Sequence, residues 1–360
     1  MRTRRLVHVI GARPNFMKAA PVIAACTAHR SLGQRCVHTG QHYDRQMSDI
    51  FFTELGLPQP DVNLGVGSGT HATQTAALLE ALEKEFDASE PDMVVVYGDV
   101  NSTLAAALVA AKLRIPVAHV EAGLRSFDPT MPEEVNRRVA DMLSDLLFAT
   151  SPEAIANLAA EGVEPGKIHL VGNPMIDTLY ENLHRFDPAP VQAQYRLPAR
   201  YGVVTLHRPA NVDDESVARP LVTALEGASQ HLPLIFPVHP RGRAALQAAG
   251  LREGKRFTLA EPLGYIEFLS LVRGAAAVIT DSGGIQEETT ILGVPCLTMR
   301  PNTERPITIS HGTNRLVTSD SLPTTLAEVL EDPPQPGDAP PLWDGKAGPR
   351  IAAVLDGWAR

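Results

Sequence analysis

The chain has 360 residues, of which 44% are hydrophobic and 20% are charged. These fractions are typical of globular proteins and exclude a disordered or collagen-like chain. The net charge of -9, without a dense Lys/Arg stripe, argues against nucleic-acid binding. The length favours two domains with a cleft between them. An anionic ligand would therefore have to be held by a local site.

No apolar run approaches the roughly 20 residues that cross a bilayer, so we expect neither a membrane anchor nor a signal peptide. The three cysteines are too few and too scattered for a disulfide framework. They fit a reducing compartment, and a cytoplasmic location is the expectation. Neither a zinc-type spacing of His and Cys nor a P-loop motif occurs, so the sequence predicts no metal site.

Short apolar segments rich in Val, Ile and Leu recur along the first half of the chain and are typical of buried parallel strands. Segments with helical periodicity alternate with them, for example from Thr70 and from Asn101, the second with Asn or Ser placed as an N-cap. This alternation predicts a doubly wound α/β sheet. The strand segments are RLVHVI from Arg5, QRCVHT from Gln34, DMVVVYG from Asp92, IPVAHVEAG from Ile115 and LLFATS from Leu146.

The same pattern starts again after residue 173. We therefore predict a Rossmann-like domain over 1–173 and a second one over 174–347. A Pro- and Gly-rich segment from Asp332 cannot form a regular element, but the last residues, 348–360, are predicted to be a helix. The strand segments of the second domain are YGVVTLH from Tyr201, LPLIFPVHP from Leu232, KRFTLAEP from Lys255, AAAVITDSGG from Ala275 and GVPCLTM from Gly293.

In open parallel sheets, ligands bind at the carboxyl ends of the strands. In ITDSGGIQEE, from Ile279, a predicted strand is followed by Ser282–Gly284 and then by a helical segment. Small residues at a helix N-terminus suit a phosphate, but an ordinary turn with an N-cap serine has the same sequence. We interpret Glu287 and Glu288 as partners of the helix dipole, one of which could also reach a ribose or sugar hydroxyl.

Carboxylates follow the strands of the first domain. Asp99 and Glu121 come directly after two predicted strands, and Glu133 and Glu134 lie in the first turn of a predicted helix. Capping and dipole effects would explain Asp99 and the glutamate pair. Glu121 is harder to explain in that way, because it stands between an apolar strand and two small residues, with Arg125 one turn further on.

Cations and histidines also follow predicted strands, and they would form a wall that binds anions. Two such His/Arg strand ends in the second domain make coincidence a weaker explanation. These residues are Arg13 and Lys18 after the first strand, His207 and Arg208 after the strand from Tyr201, and His239 and Arg241 after the next strand.

Ten segments resemble, in the same order, the motif series of the non-hydrolysing UDP-N-acetylglucosamine 2-epimerases. The segments are GARPNFMKAAPV, TGQHYD, YGDVNSTLAAALVA, HVEAGLRS, PEEVNRR, VGNPMIDTL, HRPANVDD, DSGGIQEE, MRPNTERP and GTNRLV. The resemblance spans nearly the whole chain, from Gly11 to about Arg350. Ten ordered segments are far more specific than any one of them.

The resemblance implies a glycosyltransferase-B-like fold, with UDP in the cleft bound mainly by the second domain. It implies that the C-terminal helix packs back on the first domain, that the substrate is a UDP-sugar, and that the enzyme is a homodimer without a cofactor. In this family, UDP is eliminated from the sugar to give a 2-acetamidoglucal intermediate. UDP is then added again after C2 is reprotonated on the opposite face.

Carried over residue by residue, the resemblance also implies roles for single residues. The catalytic residues would be Asp99, Glu121, Glu133 and His207, with Lys18 as the active-site lysine. The substrate contacts would be Arg13, Ser282, Gly283 and Gly284 at the diphosphate, His239 near them, and Glu304 at the ribose, together with Arg125, Glu288 and Arg305. Which carboxylate takes the C2 proton stays open.

Asn15 and Ala210 stand where many members of the family carry Glu, so the sugar contacts are expected to differ. The segment GVGSGTHATQTA lacks an arginine that many bacterial members use for a second, activating substrate molecule, which leaves activation open. Four alternatives remain: a 2-epimerase of a related UDP-sugar such as a 2,3-diacetamido-glucuronate, a hydrolysing epimerase, a glycosyltransferase of the same fold, and a nucleotide-sugar sensor without catalysis.

Overall fold

The computed structural model describes residues 3–40, 54–208, 211, 214–238, 240–335 and 337–358. These residues form two units. The first runs as far as Glu181 and takes up the chain again from Pro341, and the second spans Asn182–Pro340. Each unit contains its own parallel sheet with helices packed against it. The predicted α/β class with two doubly wound, Rossmann-like sheets is confirmed.

The first unit is built on seven described strands. The strands are β1 (Arg4–Ile10), β2 (Leu32–His38), β3 (Val62–Asn63), β4 (Met93–Tyr97), β5 (Val117–Ala122), β6 (Leu146–Ala149) and β7 (Ile168–Leu170). The helices are α1 (Arg13–Thr27), α2 (His71–Ser89), α3 (Asn101–Lys112), α4 (Pro132–Leu143), α5 (Pro152–Ala160) and α6 (Pro174–Asn182). The strand order is β3-β2-β1-β4-β5-β6-β7, with all described pairs parallel.

The second unit repeats this construction with six described strands. The strands are β8 (Gly202–Thr205), β9 (Leu234–Pro237), β10 (Phe257–Ala260), β11 (Ala277–Thr280), β12 (Cys296–Thr298) and β13 (Asn314–Leu316). The helices are α7 (Pro188–Gln194), α8 (Glu215–His231), α9 (Pro240–Ala248), α10 (Tyr265–Gly274), α11 (Gly283–Leu292), α12 (Ile307–Ser310) and α13 (Leu322–Glu331). The order β10-β9-β8-β11-β12-β13 is again parallel throughout.

Central strands in both sheets are buried from end to end. All five residues of β4, MVVVY, are buried, and so are all four of β11, AVIT. A strand with helices on both faces has no side that water can reach, so it carries no alternation of polar and apolar residues. This explains why unbroken Val/Ile/Leu runs, rather than a two-residue period, predicted these strands.

The strand order reverses at one place in each sheet. β1 lies between β2 and β4, and β8 lies between β9 and β11, with the chain continuing outwards on each side. Loops that leave two such neighbouring strands diverge and open a crevice at their carboxyl ends. Functional side chains are therefore expected after β1 and β4 in the first unit and after β8 and β11 in the second.

The last helix, α14 (Ala347–Gly357), packs on α1 in the first unit. Its backbone approaches α1 closely, because a Cβ on Gly348 would lie 2.5 Å from the carbonyl oxygen of Pro21. Asp177 supplies the start of the helix with acceptors, at 3.0 Å from the Ala347 nitrogen and 2.7 Å from the Gly348 nitrogen. The carboxylate takes the place of a capping side chain.

The start of α3 differs in detail from the sequence prediction. Val100, rather than Asn or Ser, is the N-cap residue, and Asn101 is the first helical residue. The Asn101 side chain donates to Gln74 Oε1 at 2.8 Å and accepts from Asn136 Nδ2 at 3.1 Å. Its polarity therefore serves contacts with α2 and α4 and not the cap of its own helix.

Gly348→Ala should destabilise the protein by about 2 to 3 kcal/mol, because the new methyl group has to push α14 away from Pro21. Gly357→Ala in the same helix is the matched control, since a Cβ there meets no atom within 4 Å. We expect it to leave stability unchanged or slightly raised. Thermal unfolding of both variants measures the difference, and equal midpoints would contradict close packing at Gly348.

Candidate active site

The turn between β1 and α1 is tied to the end of β4 by one amide side chain. Asn15 Oδ1 accepts from the backbone N–H groups of Gly11 and Ala12, both at 3.1 Å. Asn15 Nδ2 donates to the carbonyl of Tyr97 at 2.8 Å. Gly11 has no room for a side chain, since a Cβ would lie 2.3 Å from Ser102 Oγ. The turn therefore holds α1 directly beside the carboxyl end of β4.

A buried ion pair lies at this junction. Lys18 on α1 donates from Nζ to Glu121 Oε2 at the end of β5, and the two side chains are 4% and 2% exposed. Gly98 leaves room for the pair, because a Cβ there would lie 2.9 Å from Lys18 Nζ. Each charge alone would carry a large desolvation penalty, which the other offsets. The structure thus brings together two of the predicted catalytic residues.

Glu121 has an unusual backbone conformation. Its φ is +74°, in the left-handed region, and the register between β5 and β6 shifts at this point, between Val120 and Ala122. A residue with a side chain costs about 1 to 3 kcal/mol in such a conformation, and irregularities of this kind re-aim side chains near active sites. Strain at a buried carboxylate beside a lysine points to function.

Asp99 is the more accessible carboxylate of this group, with 23% of its side chain exposed. It pairs with Arg137 on α4, and its backbone carbonyl accepts from Asn136 Nδ2 at 2.8 Å. Arg137 also donates to Glu134 Oε2 at 2.7 Å. One arginine therefore positions Asp99 and joins it to the start of α4.

Of the two adjacent glutamates on α4, Glu134 is the buried one. It is 3% exposed and accepts from the backbone N–H of Ser126 at 2.9 Å and of Phe127 at 3.2 Å. Glu133, the predicted catalytic residue, is half-buried in the first turn of the helix. Glu134 thus organises the loop before the helix, and the catalytic role of Glu133 stays a prediction.

Arg125 and Arg13 complete the predicted residues of the first unit. Arg125 is 2% exposed and pairs with the buried Asp141 and with the more exposed Glu161, each at 2.7 Å. Its contact with substrate stays a prediction, since these carboxylates already engage its guanidinium. Arg13 is the first residue of α1, and its side chain lies outside the described part of the chain.

In the second unit, one buried carboxylate joins the ends of β8 and β11. Asp281 is 0% exposed and accepts from the backbone N–H groups of His207 at 3.1 Å and Arg208 at 2.9 Å, and from Asn211 Nδ2 at 2.9 Å. Burial by itself would raise the pKa of Asp281, but the hydrogen bond and charge of His207, and the hydrogen bonds from Asn211 and the Arg208 backbone, lower it. Asp281 is therefore an anion that fixes the loop after β8.

The same carboxylate orients the His207 ring. His207 Nδ1 lies 3.1 Å from Asp281 Oδ1, and its side chain is 49% exposed. Because an ionised carboxylate only accepts, Nδ1 carries the proton of this contact, and the carboxylate sets the direction in which Nε2 points. The structure thus gives the predicted catalytic histidine the orientation that a general base or an anion ligand needs.

Helix α11 starts at this strand reversal. Ser282 is its N-cap residue, and its hydroxyl makes no capping hydrogen bond to any described residue. The first N–H groups of the helix therefore keep the partial positive charge that suits an anion. Gly283 has no room for a side chain, since a Cβ there would lie 2.3 Å from Arg305 Nη1. Ser282, Gly283 and Gly284 lie together at the start of the helix, as predicted.

The interpretation of Glu287 as a partner of the helix dipole is wrong. It is the fifth residue of α11 and is 0% exposed, beyond the first turn in which the dipole acts. Its Oε1 accepts from Arg305 Nε at 2.8 Å. Arg305 also pairs with Glu304, which accepts from Arg300 Nη2 at 2.6 Å. These four side chains form a buried network, so the ribose contact of Glu304 stays a prediction.

Glu288 does not offset the dipole either. It is 1% exposed, and burial raises the pKa of its carboxyl to about 8, with the charge of Glu287 adding to the rise. Its Oε1 is buried without a hydrogen-bond partner among the described residues. A neutral carboxyl with an unused oxygen can accept from a ligand hydroxyl, which fits the predicted substrate contact.

Sequence reasoning missed the residues that position the predicted ones. Asp281 stands inside ITDSGGIQEE, where an aspartate at a strand end before three small residues indicates such a role. Arg137 and Asn15 had no such signal, because nothing in their local pattern names their partners. His239 lies outside the described residues. In the described ranges, no cluster of His, Cys, Asp or Glu could hold a metal ion, and no helix is long and apolar enough to cross a membrane.

The chain is similar to a known protein family over most of its length. Residues 24–356 match the model of the family described as UDP-N-acetylglucosamine 2-epimerase. The chain belongs to this family. The resemblance carried by the ten motifs is therefore confirmed, and the chain is an enzyme of the epimerase family.

Members of the UDP-N-acetylglucosamine 2-epimerase family align with the chain from end to end. The UDP-N-acetylglucosamine 2-epimerase of Methanocaldococcus jannaschii is 42% identical, covering 98% of each chain. A crystal structure of that organism's UDP-GlcNAc 2-epimerase, in complex with UDP-GlcNAc and UDP, superimposes with a TM-score of 0.91 at 42% identity, over 98% of this chain and 99% of that one.

A relative that acts on another UDP-sugar is nearly as similar. The UDP-2,3-diacetamido-2,3-dideoxy-D-glucuronate 2-epimerase of Pseudomonas aeruginosa is 39% identical, covering 98% of this chain and 99% of its own length. Family membership therefore leaves the sugar substituents to be decided by experiment.

The raised pKa of Glu288 predicts a pH-dependent stability. Between about pH 5 and 8 the unfolded chain ionises this carboxyl while the folded protein keeps it protonated, so stability falls as pH rises. Glu288→Gln imitates the neutral acid and should gain about 3 kcal/mol relative to the wild type across that range. Urea unfolding at several pH values measures this, with the exposed Glu83→Gln as control. If the free energy of unfolding changed with pH in the same way for the wild type and Glu288→Gln, Glu288 would not be neutral in the folded protein.

Proposed function

We propose that this enzyme interconverts UDP-N-acetylglucosamine and UDP-N-acetylmannosamine by elimination and re-addition of UDP. The C2–H and C1–O bonds break, UDP leaves as the anion, and a C1=C2 double bond forms in a 2-acetamidoglucal. Protonation of C2 on the opposite face and return of UDP to C1 then give the epimer. Atoms and electrons balance without a cofactor.

One observation carries the proposal: the left-handed Glu121 beside Lys18 at the carboxyl end of β5, in a chain that belongs to this family. Inverting a carbon that bears an unactivated hydrogen needs a carboxylate that can take the proton from that carbon. It also needs a cation that stabilises the negative charge developing as the proton leaves. The buried pair supplies both, and Asp99 supplies a second carboxylate that is partly open to solvent.

The second unit would stabilise the leaving group. A departing diphosphate gains negative charge, and the helix start at Ser282–Gly284, together with His207 and Arg208, would offset that charge. Asp281 keeps the backbone of both strand ends fixed, so these groups need no rearrangement when the charge develops. The unpaired oxygen of Glu288 would accept from a hydroxyl of the nucleotide.

A second candidate substrate is a UDP-2,3-diacetamido-2,3-dideoxy-glucuronate, which the 39% identical relative from Pseudomonas aeruginosa favours. The chemistry at C1 and C2 would be the same, so both candidates use the same residues. They differ only in the groups at C3 and C6 of the sugar.

The function is tested by incubating the protein with each UDP-sugar in deuterated water and following the sugar by NMR. Deuterium at C2 together with the epimeric UDP-sugar is the expected result. Absence of exchange at C2 with UDP-N-acetylglucosamine, but exchange with the diacetamido-glucuronate, would assign the second candidate. Free N-acetylmannosamine as the main product would assign a hydrolysing epimerase, and no exchange with either sugar would reject both proposals.

Asp99→Asn and Glu121→Gln should each lower kcat by about 100- to 10,000-fold, because each variant removes a carboxylate that transfers a proton or stabilises the charge formed by proton transfer. Affinity for UDP should change by less than about threefold, since UDP is assigned to the second unit. Single-turnover kinetics and calorimetric titration with UDP measure the two effects. Asp87→Asn and Glu83→Gln, exposed on α2, are matched controls; lost UDP binding in folded Asp99→Asn would contradict the assignment.

We also propose that the protein is a homodimer in solution. Helix α4 carries an outward stripe in which Val135 is 51% and Met142 is 81% exposed, seven residues apart on one face. Phe127, 76% exposed, precedes the helix. Exposed large apolar side chains that cluster in this way are uncommon on a monomer. A twofold axis at the stripe would pack the stripes of two chains against each other and remove both from water.

Light scattering should therefore give twice the mass of one chain, and the double variant Val135→Asp, Met142→Asp should give the mass of a monomer. Val217→Asp, which changes an exposed residue of the second unit, is the matched control and should remain dimeric. A monomeric wild type would reject the dimer, and a dimeric double variant would place its interface elsewhere.

A further inference from the structure

His119 is the buried histidine of β5, two residues before Glu121. It is 0% exposed, and both of its ring nitrogens make short hydrogen bonds. Nδ1 lies 2.6 Å from Asp141 Oδ1 on α4, and Nε2 lies 2.7 Å from the carbonyl oxygen of Gly98 at the end of β4. The ring therefore bridges a helix and the turn that carries Asp99.

Both partners of the ring are acceptors. A peptide carbonyl cannot donate, and Arg125 Nη1, 2.7 Å from Asp141 Oδ2, keeps the aspartate ionised. Burial would raise the pKa of Asp141, but the charges of His119 and Arg125 and their hydrogen bonds lower it. A neutral imidazole has only one N–H and could satisfy one of the two acceptors. The hydrogen bonds thus require a ring that is protonated on both nitrogens.

The same aspartate reaches the other candidate catalytic turn. Asp141 Oδ2 accepts from the backbone N–H of Gly123 at 3.1 Å, and Gly123 has a φ of +82°. Glu121, two residues earlier, has its own φ of +74°. The turn before Asp99 and the turn after Glu121 are therefore both held by hydrogen bonds to the buried His119–Asp141 pair. Among the described hydrogen bonds, none joins this pair to the carboxylate of Asp99 or Glu121.

We propose that His119, as a buried imidazolium held by Asp141, is a positioning residue that fixes Asp99 and Glu121 relative to each other. This inference rests on the proposed function, since it assigns the pair to the same reaction. A doubly protonated ring is the only state of histidine that donates in two opposite directions, and it keeps both turns at a set separation. Displacements of about 1 Å in such groups cost rate by factors of about 100.

The first unit contains a natural contrast. His8 on β1 is also 0% exposed, but it bonds the hydroxyl of Tyr97, which can donate, at 2.7 Å through Nδ1. Burial lowers the pKa of His8 to about 4, so it is neutral. Two equally buried histidines of one sheet are therefore expected in opposite charge states, decided by their hydrogen-bond partners.

Nitrogen NMR of the wild-type protein without substrate tests the charge state. We expect one buried histidine with both ring nitrogens protonated at neutral pH, assigned to His119 by its loss in His119→Gln, and a neutral ring for His8. A neutral tautomer at His119 would overturn the inference. This measurement does not depend on catalysis, so it can succeed or fail independently of the proposed function.

Kinetics test the positioning role. His119→Gln and Asp141→Asn should lower kcat about 100-fold while KM for the UDP-sugar and Kd for UDP change less than about threefold. His8→Gln, a matched buried control, should keep its kcat even if it lowers the melting temperature. Unchanged kcat in folded His119→Gln or Asp141→Asn overturns the inference. If His119→Gln does not fold, Asp141→Asn provides the test in its place. If the wild type itself shows no exchange at C2, the proposed function is rejected rather than the role of His119.

Discussion

A carboxylate buried at the carboxyl end of a parallel sheet has to be neutralised, and this constraint organises both units. Glu121 and Asp281 are each almost inaccessible to water. Leaving either charge without a partner would cost several kcal/mol. Each unit therefore places donors against its carboxylate, Lys18 of α1 in the first and the loop after β8 in the second, at the sheet edge where ligands of open α/β sheets bind.

The two units meet the constraint in different ways. In the first, Lys18 reaches from α1 to Glu121, whose backbone is held in the left-handed region, and the pair brings two opposite charges together. In the second, Asp281 is surrounded mainly by backbone and amide donors, so it is a fixed anion that orients His207. The first arrangement suits proton transfer, and the second suits stable binding of an anion.

Buried charges continue away from both carboxylates. Arg305 lies between Glu287 and Glu304 in the second unit, and Asp141 lies between His119 and Arg125 in the first. Such groups contribute little net stability compared with apolar residues of the same size, but removing one member leaves an uncompensated charge. Their effect is to fix geometry, and in this protein the fixed segments carry the proposed catalytic and diphosphate-binding residues.

The sequence by itself determined the α/β class, the two parallel sheets, and the segments where functional side chains occur, because strand burial and helical periodicity are local properties. It also placed Lys18, Glu121 and the start of α11 correctly on their elements. Only the tertiary structure decided that Glu134 rather than Glu133 is buried, that Glu287 pairs with Arg305, and that Asp281 and His119 support their neighbours. These contacts join residues distant along the chain, and no local pattern names the partner of a charged side chain.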